Sequence, residues 1–314
     1  MDPQALADAV AYGTARGGSG LIVRSGYQVA SWGSQTQLYD LKSTTKSIGS
    51  VLLGLAIKDG KVQLDTKVRP LLPEIDVTPT DSSTRSWLPL ITVRHLATHT
   101  AGFEKTGGFG RLLFQPGTKW SYSDGGPNWL ADLLTVLYAS DLKTVLQKRV
   151  LGDLGVATSM LSWRKNIYRP TTLRGFLRRE FGSGISASVD AMARIGLLVA
   201  RDGRWRTKQI LPPGYAAQVG TTPAALRDLP LYDPSKYPGA PEDYGFLWWN
   251  NSAGILAGVP GDAFWGWGLG DSFILVVPSR DLVVVRAGPA WNDSWGKLTT
   301  IQPFFAKVTG AAAG

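Results

Sequence analysis

Tyr39-Asp40-Leu41-Lys42-Ser43-Thr44-Thr45-Lys46-Ser47 opens a stretch that runs on through Ile48, Val51, Leu52, Leu53, Leu55, Ala56 and Ile57 to Asp59-Gly60. From Ile48 onward it is apolar almost all round. That pattern marks a helix buried at the centre of a fold rather than one lying on its surface. Gly60 suits the C-cap. In the first turn, Ser43 and Lys46 stand three apart, and residues at that spacing share a helix face. A serine hydroxyl needs a base to become a nucleophile, and a desolvated lysine can be neutral enough to serve. The helix N-terminus adds amides and a dipole that favour negative charge. The plainer reading makes Ser43 a simple N-cap with Lys46 in solvent, and the spacing alone favours it. The same S-x-x-K pattern recurs at Ser162/Lys165 and Ser294/Lys297, in loop-like, tryptophan-containing surroundings.

Both ends of the chain read as strands. Leu21-Ile22-Val23-Arg24 and Gln28-Val29-Ala30-Ser31-Trp32 flank a Ser25-Gly26 turn, a hairpin signature. Near the other end, 273–277 and 282–286 flank Pro278-Ser279-Arg280-Asp281. A helix is expected at the start, with Pro3 in its first turn, and another over 298–308, where Pro303 introduces a bend. Hairpins from the two termini most simply share one antiparallel sheet with the terminal helices on a face. Residues 64–188 carry helical periodicity broken by Gly- and Pro-rich loops. The expected fold is therefore α/β (α+β): an antiparallel sheet flanked by helices and built from 1–63 and 189–314, with a mostly helical domain inserted at 64–188.

Composition narrows the function. The chain has 314 residues, enough for about two domains at roughly 150 residues each. It is 44% hydrophobic and 18% charged, which excludes a disordered chain. No apolar run approaches the roughly 18–20 residues of a membrane span. Cysteine is absent, so disulfides, thiolate metal sites and a cysteine nucleophile are excluded. His95 and His99, the two histidines, stand i, i+4, but the glutamate of a zinc-protease helix is missing between them, so a structural role is expected and no metal. There is no G-x-S-x-G elbow and no phosphate loop. The net charge is +9, with its densest stretch at Arg164, Lys165, Arg169, Arg174, Arg178 and Arg179. No nucleic-acid motif accompanies that stretch, and a solvated loop and helix are expected there. The first ten residues lack the form of a signal peptide. Asn250 and Asn292 open glycosylation sequons by pattern only. Compartment and oligomeric state stay open.

The segment 39–47 resembles the active-site segment of the class C β-lactamase-type serine hydrolases, a group of β-lactamases, D,D-peptidases, family VIII esterases and 6-aminohexanoate-dimer hydrolases. Further blocks follow in family order over nearly the whole chain: Asp59-Gly60-Lys61-Val62, the run from Ile91 through His99 to Phe103, Pro116-Gly117-Thr118, Tyr122-Ser123-Asp124, the run from Tyr244 to Asn250, and the closing hairpin from Gly266 to Val285. The Trp-Trp block and the short final motif are most similar to the 6-aminohexanoate-dimer hydrolase branch. The resemblance implies a sheet domain from both termini, a helical domain and a site between them. It makes Ser43 the acylated nucleophile, with Lys46 and Tyr122 exchanging its proton. No cofactor is implied. A tyrosine of ordinary pKa near 10 can act as a base only where cations lower it, and Lys46 is the candidate.

Two positions depart from the family pattern. Asp124 stands where asparagine is usual. Ionised aspartate accepts hydrogen bonds but cannot donate one to a substrate carbonyl, and Asp124 serves equally well as a cap for the apolar helix that follows. The third motif, usually Lys-Thr-Gly or a His/Trp variant, corresponds to Phe264-Trp265-Gly266-Trp267-Gly268. Lys105-Thr106-Gly107 matches literally but lies in the wrong place and is read as a decoy. An amide at Gly266 or Trp267 is expected to join that of Ser43 as an oxyanion hole. Trp265, Trp267, Trp248 and Trp249 are candidates for an apolar acyl pocket. The missing strand cation, together with Asp124, predicts a site for neutral or cationic esters or amides, hence a carboxylesterase or linear-amide hydrolase. The alternatives are a β-lactamase or D,D-peptidase, and a sensor module that is acylated without turnover.

Overall fold

The strands from the two ends of the chain lie side by side. In the computed structural model, which describes residues 1–237, 240–291 and 298–313, six antiparallel strands form one sheet. Their order is Trp249–Asn250, Phe264–Gly268, Ser272–Val277, Leu282–Ala287, Ser19–Arg24 and Tyr27–Trp32. The two terminal hairpins join through the register Ser19↔Ala287 to Arg24↔Leu282. The Ser294/Lys297 pattern and the Asn292 sequon lie outside the described residues.

Successive side chains on these strands face opposite ways, and the two faces feed two cores. Leu21, Val23, Ile274, Val276, Val283 and Val285 pack with the central helix Thr44–Lys58 and the helix Val189–Ala200. Ile22, Phe273, Leu275, Val277 and Val284 pack with the terminal helices Pro3–Thr14 and Leu298–Ala311. The sheet is thus a middle layer between two helical layers. Asp2 caps the first helix through the Ala5 amide (2.8 Å), and the last helix runs through Pro303.

The first core extends beyond the sheet. It continues through the central helix into the helix Gly125–Tyr138 and the short helices Val93–Ala97 and Leu142–Leu146. A small sheet of Tyr39–Asp40, Ile185–Ala187 and Leu161–Trp163 ties the segment before Ser43 to this region. No helix among the described residues is long and apolar enough to cross a membrane.

The basic stretch at 164–179 differs from the solvated loop and helix expected of it. It forms the hairpin Thr172–Leu173/Phe176–Leu177, and several of its arginines turn inward. Arg169 and Arg178 are buried against Asp132 (3.0 and 3.2 Å), Arg179 pairs with Asp141 (2.5 Å) and Arg164 with Glu180 (3.0 Å). Of the acids that recruit these arginines, Glu180 adjoins the run but Asp132 and Asp141 lie well before it, so the run reads as a charged surface until the fold brings them in.

Candidate active site

The central helix starts against the sheet. Thr44 Oγ1 donates to the Ser272 carbonyl (2.8 Å), and Ser272 Oγ donates to the Leu41 carbonyl (2.8 Å). Every residue from Thr44 to Ala56 is buried. Gly266 and Gly268 permit this close approach. A Cβ on Gly266 would lie 2.6 Å from Ser47 Oγ, and one on Gly268 would lie 2.1 Å from the Leu41 carbonyl oxygen.

Ser43 occupies the N-cap position, but its side chain caps nothing. Lys46 is not in solvent either: its side chain is 1% exposed. Its Nζ lies 3.1 Å from Ser43 Oγ, 2.5 Å from Asp124 Oδ1 and 2.8 Å from the Gly182 carbonyl oxygen. Burial pulls the Lys46 ammonium below the ordinary lysine range, and the charge of Asp124 opposes the fall. Asn128 holds Gly182 in place by accepting from its amide (2.8 Å).

Asp124 is neither a cap nor a free carboxylate. Ser123 Oγ caps the following helix at the Gly126 amide (3.1 Å). The two Asp124 oxygens divide between Lys46 and Lys105. Burial raises the Asp124 carboxyl, but the two lysines outweigh it and hold the group below its usual range. Lys105 is not on the strand beside Ser43, so its Lys-Thr-Gly is not the third motif. It nevertheless reaches the site from its loop, 53% exposed, with Nζ 5.0 Å from the centre of the Tyr122 ring. An ammonium thus stands at the site although the strand carries none, and it is paired with Asp124.

Tyr122 stacks on Trp249 (5.8 Å, 15°) and Tyr237 (5.0 Å, 28°), with Lys46 Nζ 4.8 Å from its ring centre. The expected fall in its pKa is not found. Burial raises the phenol to about 12, Lys105 pulls it down, Asp124 pushes it up and the Ser43 hydroxyl pulls it down. Desolvation of the phenolate outweighs the cations because Asp124 already neutralises much of their charge. Tyr122 is therefore a phenol at neutral pH. His99 grips the Tyr122 segment on both sides: its carbonyl accepts from the Ser121 amide (3.1 Å) and its Nδ1 from the Ser123 amide (3.3 Å). His99 Nε2 faces the Tyr244 hydroxyl (2.9 Å), whereas His95 Nδ1 accepts from Thr92 (3.3 Å). The two histidines thus serve separate loops.

Strand parity separates Gly266 from Trp267. The Asn251 amide donates to the Ala263 carbonyl (2.8 Å), two pairs beyond Trp249↔Trp265. Hydrogen-bonded pairs alternate in an antiparallel ladder. Trp265 and Trp267 therefore aim their amides at this edge, and Gly266 aims its amide at Ile274 on the other side. The edge strand begins only at Trp249, so the Trp267 amide points past its end. The Ser43 amide has no hydrogen-bond acceptor among the described residues.

Ser43, Lys105, Tyr122, Tyr237, Trp249, Trp267 and Gly268 enclose a chamber of about 30 Å³. Lys105, Tyr122 and Tyr237 divide it from a cavity of about 300 Å³, which Trp120, Leu231, Tyr232, Asp233 and Lys236 also line. Trp265 and Trp248 are not in the chamber. Trp265 packs on Phe305 (5.5 Å), and Trp248 donates to Ser50 Oγ (2.7 Å) in the core.

Comparison with known proteins identifies the family and the fold. A sequence model of the Beta-lactamase family matches residues 4–287. The chain belongs to the β-lactamase family. It is a serine hydrolase of that family. Its fold is also that of a putative β-lactamase from Bacteroides dorei DSM 17855 (TM-score 0.77, 14% identity, 100% of this chain and 99% of that one). A penicillin-binding protein homologue from Caulobacter crescentus is similar (TM-score 0.72, 16% identity, 98% and 97%), as is a putative 6-aminohexanoate-dimer hydrolase from Bacillus anthracis (TM-score 0.71, 15% identity, 94% and 78%). No curated protein matches the chain in sequence.

Proposed function

We propose that this β-lactamase-family chain is a carboxylesterase or linear-amide hydrolase that works through an acyl-enzyme on Ser43. The observation that carries the reading is the cradle of Lys46. Two of its partners, Gly182 O and Asp124, can only accept, so the third direction of Nζ is committed to Ser43 Oγ at 3.1 Å.

With Lys46 as the amine, the Ser43 proton passes to Nζ as Oγ attacks the carbonyl carbon. The negative charge on the carbonyl oxygen is taken by the Ser43 and Trp267 amides, which cost no reorganisation because the helix start and the strand fix them. Tyr122, a neutral phenol hydrogen-bonded to the Ser43 hydroxyl, gives its proton to the leaving oxygen or nitrogen, and its phenolate takes up the proton that Lys46 received as Nζ turns from the acylated Ser43 Oγ. Water then enters and attacks the ester carbonyl as Lys46 takes its proton, and the acid leaves as that proton passes to Ser43 Oγ, restoring the hydroxyl and the neutral amine.

The substrate class rests on the walls. Trp249, Trp267, Tyr237 and Tyr122 give the chamber an apolar, aromatic surface. Asp124, with both oxygens held by lysines, offers a substrate amide no donor. Lys105 favours a second reading, a β-lactamase or D,D-peptidase, because its cation at the chamber mouth suits a carboxylate.

A hydrolysis panel on wild type and Ser43→Ala tests the proposal, using p-nitrophenyl butyrate, a linear amino-acid amide and nitrocefin. Ser43-dependent ester or amide cleavage with a lower kcat/KM for nitrocefin is expected. Faster nitrocefin turnover would transfer the assignment to the β-lactamase reading. Stoichiometric acylation without product release would make the chain an acyl-binding sensor.

A further inference from the structure

We propose that Asp124 and Lys105 together set the pH at which Lys46 becomes available to Ser43, with Asp124 holding Lys46 protonated and Lys105 opposing that hold. The inference rests on the reading of Ser43 as nucleophile and Lys46 as its base.

The argument begins with hydrogen-bond capacity. An ammonium has three N–H donors and no lone pair. Lys46 has three partners, so as an ammonium it donates to Gly182 O, Asp124 Oδ1 and Ser43 Oγ. A neutral amine has two N–H donors and one lone pair. The acceptor-only partners take both donors, which leaves the lone pair facing the Ser43 hydroxyl. The cradle therefore holds Lys46 in one place in both states, and only the Ser43 bond reverses. What separates the states is charge, and the nearest opposite charge is Asp124.

That charge is shared. The second oxygen of Asp124 is engaged by Lys105, which arrives from the loop before Tyr122 and stands at the chamber mouth. The other titratable groups around the pair are the phenols of Tyr122, Tyr168, Tyr237 and Tyr244 and the buried ring of His99. His99 stays neutral because burial, with Lys46 and Lys105 beside it, holds it well below the usual histidine range. Among the described residues, then, one anion is set between two cations. Removing the anion makes the Lys46 ammonium less stable. Removing the outer cation leaves Asp124 acting on Lys46 alone and makes that ammonium more stable.

The test is the pH dependence of Ser43 acylation, followed as kcat/KM for p-nitrophenyl butyrate and as the rate of adduct formation with a neutral fluorophosphonate, read by intact mass. Wild type should climb along a limb as Lys46 loses its proton. Asp124→Asn keeps an acceptor for Nζ but no charge, so its limb should move down by about one pH unit or more. Lys105→Met should move the limb up, by roughly half a unit because Lys105 is more than half exposed. Opposite shifts support the inference. Adducts on Ser43 in all three proteins with one unmoved limb, or shifts of the same sign, overturn it and leave Ser43 as the nucleophile. No adduct on Ser43 in wild type would instead remove the reading beneath it. Lys105→Met changes an exposed side chain and remains decisive if Asp124→Asn fails to fold.

Discussion

Gly268→Ala should disable the site while sparing most of the fold. Its added Cβ would stand 2.1 Å from the Leu41 carbonyl oxygen, 2.7 Å from Ser272 Oγ and 2.9 Å from Thr44 Oγ1. A relaxed carbon–oxygen contact is about 3.3 Å, so the strand and the start of the central helix must part by roughly 1 Å. The first obstacle is backbone and cannot rotate aside. The separation falls between Trp267, which precedes Gly268, and Ser43, two residues after Leu41. It therefore pulls apart the two amides assigned to the carbonyl oxygen and strains the Thr44–Ser272 and Ser272–Leu41 bonds (both 2.8 Å). Overpacking of this kind costs roughly 1–3 kcal/mol, and a misplacement near 1 Å costs roughly 100-fold in rate. The variant should therefore stay folded, since a domain's stability is about 5–15 kcal/mol, while its activity falls roughly 100-fold. The assay is kcat/KM for p-nitrophenyl butyrate beside a urea unfolding curve. A variant with wild-type kcat/KM would refute the claim that the contact between Gly268 and the Leu41 carbonyl fixes the two amides.

Three further outcomes follow from the same geometry. Tyr122→Phe should lower kcat for an alkyl amide by at least roughly 100-fold, and by much less for a p-nitrophenyl ester, because only the poor leaving group needs the phenol's proton; equal losses on both substrates would contradict an acid role. His99→Asn keeps a side-chain acceptor for the Ser123 amide and tolerates the left-handed backbone at φ 62°. It should retain kcat/KM within about tenfold, while His99→Leu loses roughly 100-fold, and equivalence of the two would show that the Ser123 bond is immaterial. Asp132→Asn leaves Arg169 and Arg178 buried without their counter-charge and should cost about 3–5 kcal/mol in urea unfolding; a loss under about 1 kcal/mol would mean that the arginines find other partners.

The sequence makes the sheet legible because both hairpins carry strong turn signals, and the period-2 burial on their strands divides the two cores. Ser43 and Lys46 are legible because three-residue spacing on a helix is a local property. The partners of Lys46 are not. Gly182 lies 136 positions away and carries only a carbonyl, which no residue type announces. Asp124 reads equally as a substrate-facing carboxylate and as a cap for the apolar helix, and the Ser123 hydroxyl one residue earlier takes the cap. Lys105 is discounted for standing in the wrong motif position, although a loop delivers its ammonium to the site. The elevated phenol of Tyr122 escapes a reading that counts cations alone, since desolvation enters only with the packed aromatic wall. The tryptophans follow a simpler rule. Trp248 and Trp249 are consecutive on an extended segment, so they face opposite ways and only one can line a chamber. Trp265 shares a face with Trp267 but lies under Phe305 of the last helix.

The central claim is that Ser43 is the nucleophile, and mapping a fluorophosphonate adduct by peptide mass tests it most directly. A single adduct on the peptide containing Ser43 is expected in wild type, lost in Ser43→Ala together with ester hydrolysis while the variant still unfolds cooperatively. An adduct on another residue, or hydrolysis retained by folded Ser43→Ala, would contradict the account.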